Sequence, residues 1–401
     1  MIQTDHYLNK HTIDLTSSQM KDESLDQIRK TIDKLDQTII NALGERQRIV
    51  RNVIAEKLEH SKEIRDPNRE EKMMESIRAK AADAGMDPYF LEQLFREVIN
   101  HSVRYQTNAL VDHQNKKSEV TSIKVAYQGT DGAFSHQIAM RHFEQRYDEV
   151  ICLGFTRFDQ AAEAVEKGDA DVAMLPIENT TAGSINDTYD LLAEKDLFII
   201  GEEILRVIHC LMAPQKVELE NIRRVLSHPQ AIAQCSHFLA KMPRCHVESY
   251  FDTAMAARKV KNDGDLSQAA IGSAYAAELY GLEILERDLA NQAENFTRFV
   301  VVCRDRVSCD PQLNCKTSLI FATADEKGAL LSCLNLLGDH GINMTKLESR
   351  PRPHHPWQSL FYLDMEGNAE ELRVADALSK LKKRAQYVKV LGSYPVREGK
   401  W

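Results

Sequence analysis

The sequence predicts a multidomain chain: an all-α helical segment first, an α/β segment in the middle, and an α+β segment of ferredoxin-like order last. Three observations carry this. Leu25, Ile28, Ile32, Leu35, Ile39 and Leu43 recur at helical spacing. From Ile123, short apolar runs (IKVAYQG, VICLGF, DVAMLPI, LFIIGEE, RVLSHP, AAIGSA) alternate with helical patterns, the texture of α/β layers. After Lys316 the pieces TSLIFAT, ALLSCLNLLGDHG, MTKLES, QSLFYLDMEG, ELRVADALSKLKK and VKVLGSY read strand-helix-strand-strand-helix-strand.

A length of 401 residues with 43% hydrophobic and 28% charged content fits a globular protein of more than one domain. The net charge of −9 argues against nucleic acid and anionic membranes as partners. An anionic substrate therefore needs its own cluster of Arg and Lys. The start, MIQTDHYLNKHTIDL, lacks the pattern of a signal peptide, and no apolar run is long enough to span a bilayer, so a cytoplasmic protein is expected. The cysteines at 152, 210, 235, 245, 303, 309, 315 and 333 form no CxxC pair and read as reduced thiols.

Taken in order, residues 1–22 are polar and read as a mobile extension. Ser24 and Gln27 form a capping box for a helix running to about Lys57. At about 1.5 Å per residue it is roughly 50 Å long, too long for a small monomeric domain, which points to packing against a second chain in a homodimer or tetramer. A second helix is predicted over Asn68–Ala82. A third follows Pro88, with Leu91, Leu94, Phe95, Val98 and Ile99 on one face. The predicted layout is a helical domain over 23–113, a linker at 114–122, the α/β domain over 123–305, a linker at 306–316 and the last domain over 317–401.

In the helical domain, Arg46, Val50, Val53 and Lys57 share one helical stripe, while Ser102 and Gln106 continue the apolar face of the third helix. Spacing alone is explained as well by a solvated face with ordinary surface arginines. However, LDQIRKTIDKLDQTIINALGERQRIVRNVIAEK, with IRDPNREE and HSVRYQ, resembles the all-helical chorismate mutase family over about 25–106. The resemblance implies that Arg29, Arg46, Asp66, Arg69 and Ser102 bind substrate and that Lys57, Glu70 and Gln106 are catalytic. It also implies an interlocked dimer in which the first-helix Arg enters the partner's site. Chorismate carries two carboxylates and rearranges without proton transfer. Arg groups that hold its compact conformer, and donors to the breaking ether oxygen, suit that chemistry.

In the α/β domain four strand-to-helix turns carry small or hydroxylic residues: GTDGAFSH at 129–136, ENTTAGSIND at 178–187, SHPQAIAQC at 227–235 and GSAYAAE at 272–278. Helix N-termini after such turns offer N–H groups to carboxylates, which suggests an anion pocket between two lobes. With NFTRF at 295–299 these motifs resemble prephenate dehydratase over about 123–304. The resemblance implies a two-lobed, periplasmic-binding-protein-like fold. It gives catalytic roles to Glu178, Asn179, Gln234 and Thr297, and substrate contacts to Thr181, Ser184, Ser227 and Phe299. Prephenate must lose its C4 hydroxyl and C1 carboxylate together. An alcohol is a poor general acid, so Thr297 reads as a positioned donor, with Glu178 and His228 as candidate proton sources. His228 also reads as a turn residue. Arg298 is either a carboxylate clamp or an outward salt-bridge residue, and Phe296 with Phe299 would form an apolar wall. Asp131 departs from the family pattern and puts side-chain binding of a carboxylate by the first glycine turn in doubt.

KGALLSCL at 327–334, GINMTKLESRP at 341–351 and PWQSLFYLDMEG at 356–367 resemble the ACT regulatory domain. This implies L-phenylalanine bound between two such domains near Gly328, Ala329, Leu330, Asn343, Glu348 and Ser349, with feedback inhibition. Together the resemblances imply a bifunctional enzyme taking chorismate to prephenate and prephenate to phenylpyruvate. No metal, nucleotide or redox cofactor is expected, since there is no ligand-spaced His/Cys cluster and no phosphate loop. The rivals are a non-catalytic amino-acid sensor on the same fold and an enzyme acting on arogenate instead of prephenate.

Overall fold

The computed structural model describes residues 25–60, 67–114, 121–310, 313–352 and 355–397. The extension at 1–22, the linker core at 115–120 and Asp66 lie outside the described residues, as does the side chain of Lys57. The chain divides into two compact units, 1–61 and 62–401.

The first unit is one helix, α1 (Leu25–His60). Its 36 residues rise about 54 Å at about 1.5 Å each. Ile32, Leu35, Ile39 and Leu43, the stripe the spacing predicts, are exposed along it.

The second unit begins with α2 (Pro67–Asp83) and α3 (Pro88–Gln114), each opened by a proline that suits a first helical position. They pack through Met74, Ile77 and Ile99, with Leu91 and Phe95 against them.

Next come β1 (Ser122–Gln128), α4 (Phe134–Phe143), β2 (Glu149–Phe155), α5 (Phe158–Lys167), β3 (Val172–Asn179), β4 (Gly183–Ser184), α6 (Asn186–Glu194) and β5 (Phe198–Arg206). The chain then crosses to a second sheet through β6 (Cys210–Ala213), β7 (Arg224–Ser227), α7 (Pro229–Gln234), α8 (Ser236–Leu239), β8 (His246–Ser249), α9 (Thr253–Asp263), β9 (Gln268–Gly272), α10 (Ala274–Tyr280) and β10 (Glu283–Glu286). It returns to the first sheet in β11 (Phe296–Cys303). The first sheet has the order β2-β1-β3-β11-β5, with β4 added on β3, and the second has β10-β6-β9-β7-β8. Two lobes joined by two crossings result.

The last piece is β12 (Cys315–Ala322), α11 (Ala329–Asp339), β13 (Met344–Pro351), β14 (Ser359–Glu366), α12 (Leu372–Arg384) and β15 (Tyr387–Pro395), in an antiparallel sheet of order β13-β14-β12-β15. One face of this sheet carries α11 and α12 through Leu337, Val374 and Leu381. The other shares a core with the first lobe, where Ile320, Leu360, Tyr362 and Leu391 meet Leu175, Leu192, Leu197 and Val300. The approach is close: a Cβ added at Gly392, whose φ is +154°, would overlap the Ile199 carbonyl oxygen.

The reading of all eight cysteines as thiols is corrected for two of them. Cys309 and Cys315 are joined in a disulfide. They are buried with Leu313 against Val103, Leu110 and Val111 of α3. The short loop returning to the start of β12 brings them together, and their six-residue separation matches no sequence motif. Cys152, Cys210, Cys235, Cys245, Cys303 and Cys333 are free thiols. No helix among the described residues is long and apolar enough to cross a membrane.

Candidate active site

The centre of the first sheet is built by β3 and β11, which run antiparallel with Asn179 opposite Thr297 and Glu178 opposite Arg298. Successive strand residues point to opposite faces, so this register sorts the two motifs by parity. Asn179 and Thr297 share the face turned to the second lobe. Glu178 and Arg298 share the face turned to the C-terminal sheet.

On the first face, Asn179 and Thr297 are buried, and a hydrogen-bond network fixes their orientation. Asn179 Oδ1 accepts from the backbone N–H groups of Thr181 and Ala182, at 3.0 and 2.9 Å. Those groups can only donate, so Asn179 Nδ2 must face the other way. It donates to Thr297 Oγ1 at 2.9 Å and to Asn295 Oδ1 at 2.8 Å. The Thr181 hydroxyl donates to Asn179 Oδ1 at 2.7 Å and accepts from Gln234 Nε2 of the second lobe at 2.6 Å. Gln234 Oε1 in turn faces Asn295 Nδ2 at 3.1 Å and His209 Nε2 at 2.8 Å. Because an amide donates to its oxygen, the Thr297 hydroxyl keeps its proton for a third group.

A second contact between lobes lies at the first glycine turn. Thr130 donates to Asp252, Ser273 donates to the Gly132 carbonyl, and Tyr280 donates to the Asp131 carbonyl. Gly132 has φ +89°, and an added Cβ would lie 3.3 Å from Ala276 Cβ, so this turn needs glycine for the lobes to meet. The Asp131 carboxylate accepts from the Tyr127 hydroxyl at 2.8 Å. Burial, and then that bond, raise the Tyr127 pKa.

The structure separates several residues from this site. Glu178 is ion-paired with Lys346 of β13 at 2.8 Å, and Ser184, its partner across β3 and β4, donates to Glu348 at 2.6 Å. Parity turns both groups, expected at the substrate, toward the C-terminal sheet. Phe299 is a core residue, packed among Ile123, Val125, Ile138 and Met174 after a register shift between Arg298 and Phe299. The Ser227 hydroxyl donates to the Ile271 carbonyl at 2.7 Å, an inward bond to the next strand. His228 caps α7 by accepting from Gln230 N, and burial lowers its pKa. Arg298 is neither a clamp nor an outward group. It donates to Glu202 at 2.8 Å, Asp364 at 2.6 Å and Tyr394 at 3.0 Å inside the joint with the C-terminal sheet. Burial alone would lower its pKa, but Tyr394, Asp364 and Glu202 outweigh that and hold it well above its ordinary value.

Of the helical-domain residues, Arg29 lies 3.9 Å from Asp26 on α1, and burial lowers the pKa of Arg46 on the same helix. Arg69 and Glu70 open α2. On α3 the Ser102 hydroxyl donates to the Val98 carbonyl at 2.9 Å. Gln106 is buried and donates to the Ser102 carbonyl at 3.3 Å, while its Oε1 has no hydrogen-bond partner among the described residues. Of the effector residues, Gly328 takes a left-handed conformation (φ +79°) before Ala329 and Leu330 begin α11, and Asn343 donates to Glu366. Glu348 pairs with Tyr362 in register and Ser349 with Phe361, so the two point to opposite faces of the sheet. Glu348 is thereby separated from Ser349, with its carboxylate against the first lobe.

Two residues at the site were not singled out from sequence: Asn295, which opens the NFTRF segment, and His209, which sits between strands in RVIHCLMA. A lone histidine beside an apolar run carries no signal of its own. Only the fold brings it to Gln234.

Comparison with known proteins places this geometry in a family. The profile described as Prephenate dehydratase matches residues 125–307, and the profile described as Chorismate mutase type II matches residues 28–107. The bifunctional chorismate mutase/prephenate dehydratase of Enterobacter agglomerans is 37% identical over 93% of this chain and 96% of its own. A prephenate dehydratase from Arthrobacter aurescens, solved in complex with L-Phe, is 30% identical, with TM-score 0.63 over 69% of this chain and 90% of that one. A protein described as a novel type of quorum quenching acylase is 36% identical, with TM-score 0.62 over 68% of this chain and 98% of that one. The chain belongs to the bifunctional chorismate mutase/prephenate dehydratase family.

Proposed function

We propose that this protein rearranges chorismate to prephenate in its helical segment and converts prephenate to phenylpyruvate in the two-lobed α/β domain, under feedback inhibition by L-phenylalanine. The observation that carries the dehydratase reading is the direction of donation at Thr297. Asn179 donates to its oxygen at 2.9 Å, which leaves the hydroxyl proton for another acceptor. A donor there hydrogen-bonds the C4 hydroxyl of prephenate as it leaves, while departure of the C1 carboxylate as carbon dioxide supplies the electron pair that completes the aromatic ring. Gln234 and Thr181 hold the lobes about that point.

The same direction disfavours acyl transfer at this hydroxyl. A nucleophilic threonine needs a base to take its proton, whereas here the neighbouring side chain is itself a donor.

The mutase reading rests on family membership and on a helix of 36 residues, long for a small monomeric domain. The exposed stripe of Ile32, Leu35, Ile39 and Leu43 fits a second copy, so a homo-oligomer is the working form. Gln106, whose buried amide oxygen has no partner among the described residues, suits a group that contacts the substrate. An effector role for the C-terminal sheet, read as an ACT domain, is supported by its grip on the first lobe. Lys346, Glu348 and Arg350 project from one face of β13 to Glu178, Ser184 and Asp190. The two-lobed, doubly crossed sheets fit the periplasmic-binding-protein-like reading.

The test is to supply purified protein with chorismate and, separately, with prephenate, following phenylpyruvate by ultraviolet absorbance with and without L-phenylalanine. Phenylpyruvate from both substrates, suppressed by the amino acid, is expected. Binding of L-phenylalanine without turnover of either substrate would leave only a sensor. Turnover of arogenate in preference to prephenate would reassign the substrate.

A further inference from the structure

We infer that His209 is a positioning residue for the dehydration, locking Gln234 across the two lobes and, through it, the groups that aim the Thr297 hydroxyl. The inference rests on the dehydratase reading above and adds a residue to it.

His209 lies in the first crossing, between β5 and β6, and its carbonyl accepts from Leu289 N in the second crossing at 3.1 Å. It is thus fixed where both connections between the lobes meet. Its side chain is 2% exposed, edge-on to Phe134, with ring centroids 5.7 Å apart. Nε2 is 2.8 Å from Gln234 Oε1. Gln234 Nε2 is already committed to Thr181, so Oε1 must accept, and His209 carries its proton on Nε2. Nδ1 is then a lone pair, buried without a hydrogen-bond partner among the described residues. A residue serving only the core gains nothing from that, because an apolar ring would fill the space without an unsatisfied nitrogen. The Nε2–H is the group with a task.

That task follows from the network. Donation runs in one direction, from His209 to Gln234, Gln234 to Thr181, Thr181 to Asn179 and Asn179 to Thr297. Linked bonds polarise one another, and each fixes the rotamer of the next. Asn295, one residue before the strand that carries Thr297, also donates to Gln234 Oε1. With His209 removed, Gln234 Oε1 keeps only the longer bond from Asn295, and the amide that fixes the Thr181 hydroxyl is held less firmly. The bond across the lobes then supports the Thr181 hydroxyl, and through it the Asn179 amide beside Thr297, less rigidly.

The experiment compares H209F, H209Q and H209N in the full chain, reading kcat and KM for prephenate, chorismate mutase turnover and thermal unfolding. Gln reaches the Nε2 position with an N–H, whereas Asn reaches only the Nδ1 position. We expect H209F and H209N to lower dehydratase kcat by about 10- to 100-fold, less than the 10²–10⁴-fold typical of losing the proton donor itself. KM should change little, mutase turnover should hold, and H209Q should recover most of the rate. If H209F does not fold, the order of H209Q over H209N decides. Unchanged kcat in a folded H209F, or H209Q no better than H209N, overturns the inference. Wild-type protein that makes no phenylpyruvate overturns instead the dehydratase reading beneath it.

Discussion

Replacing Arg298 by Met separates two readings of the NFTRF segment. A carboxylate clamp would show itself in substrate affinity, and the joint residue seen here in stability. The Arg298 side chain is 12% exposed, Glu202 1% and Asp364 11%, with N–O distances of 2.8 and 2.6 Å. Removing one member of a buried ion pair costs about 3–5 kcal/mol, because the remaining charge is left desolvated. Two features soften the loss: Glu202 keeps Lys316 at 3.0 Å, and Asp364 keeps the Ser318 hydroxyl at 2.5 Å. The lower end, about 3 kcal/mol, is therefore expected. For a cooperative unit of this size that corresponds to a fall of about 6–12 °C in the transition containing the first lobe and the C-terminal sheet. Scanning calorimetry of the full chain measures it, and KM for prephenate is read well below the new transition. An unshifted transition with KM raised tenfold or more would refute the reasoning and return Arg298 to the substrate.

Thr297→Val keeps the shape and removes the hydroxyl. Dehydratase kcat should fall by about 10²-fold or more with mutase turnover intact, and retained dehydration would remove Thr297 from the mechanism. Lys346→Met breaks the pair with Glu178 and should raise the L-phenylalanine concentration for half-inhibition by at least about fivefold, the low end of ordinary coupling energies. An inhibition curve superimposed on wild type would show that this contact carries no signal. Burial lowers the pKa of His136, His209 and His228 from 6.5, against smaller opposing effects of Asp131, Gln234 and Asp252. The folded protein thus stays deprotonated where the unfolded chain begins to take up protons. Their stabilisation is present above about pH 6.5 and is lost as pH falls below it, so Tm should be lower at pH 5.5 than at pH 7.5. Equal Tm at both values would contradict the burial of these rings.

Elements were legible because periodicity is local. The helix at Asn68–Ala82 is found at Pro67–Asp83, and the strand-helix order after Lys316 matches the strands and helices found there. Asn179, Thr181, Gln234 and Thr297, named from motifs, do converge. What sequence could not supply was which face of a strand each motif residue takes. Glu178 and Ser184 stand beside Asn179 and Thr181 in one motif, yet register turns them away. His209 and the Cys309–Cys315 bond failed for a different reason: each depends on a loop returning to a distant or irregular partner, which no period encodes.

Parity also gives the enzyme a short route for control. Asn179, which orients Thr297, and Glu178, held by Lys346, are separated by one peptide unit, so one strand end belongs to the cleft and to the C-terminal sheet at once. A shift of β13 with the Lys346–Glu178 pair intact bears on the strand end that carries Asn179. Lys346, Glu348 and Arg350 act from alternate positions of one strand, so they move together and not as independent contacts. An effector needs only to prefer the displaced sheet by about 1.4 kcal/mol to change the population of the aligned site tenfold. That is comparable to a single charge-assisted hydrogen bond, about 1.5–3 kcal/mol. Loss of one tooth of this comb should accordingly shift the response to effector further than it shifts the basal rate.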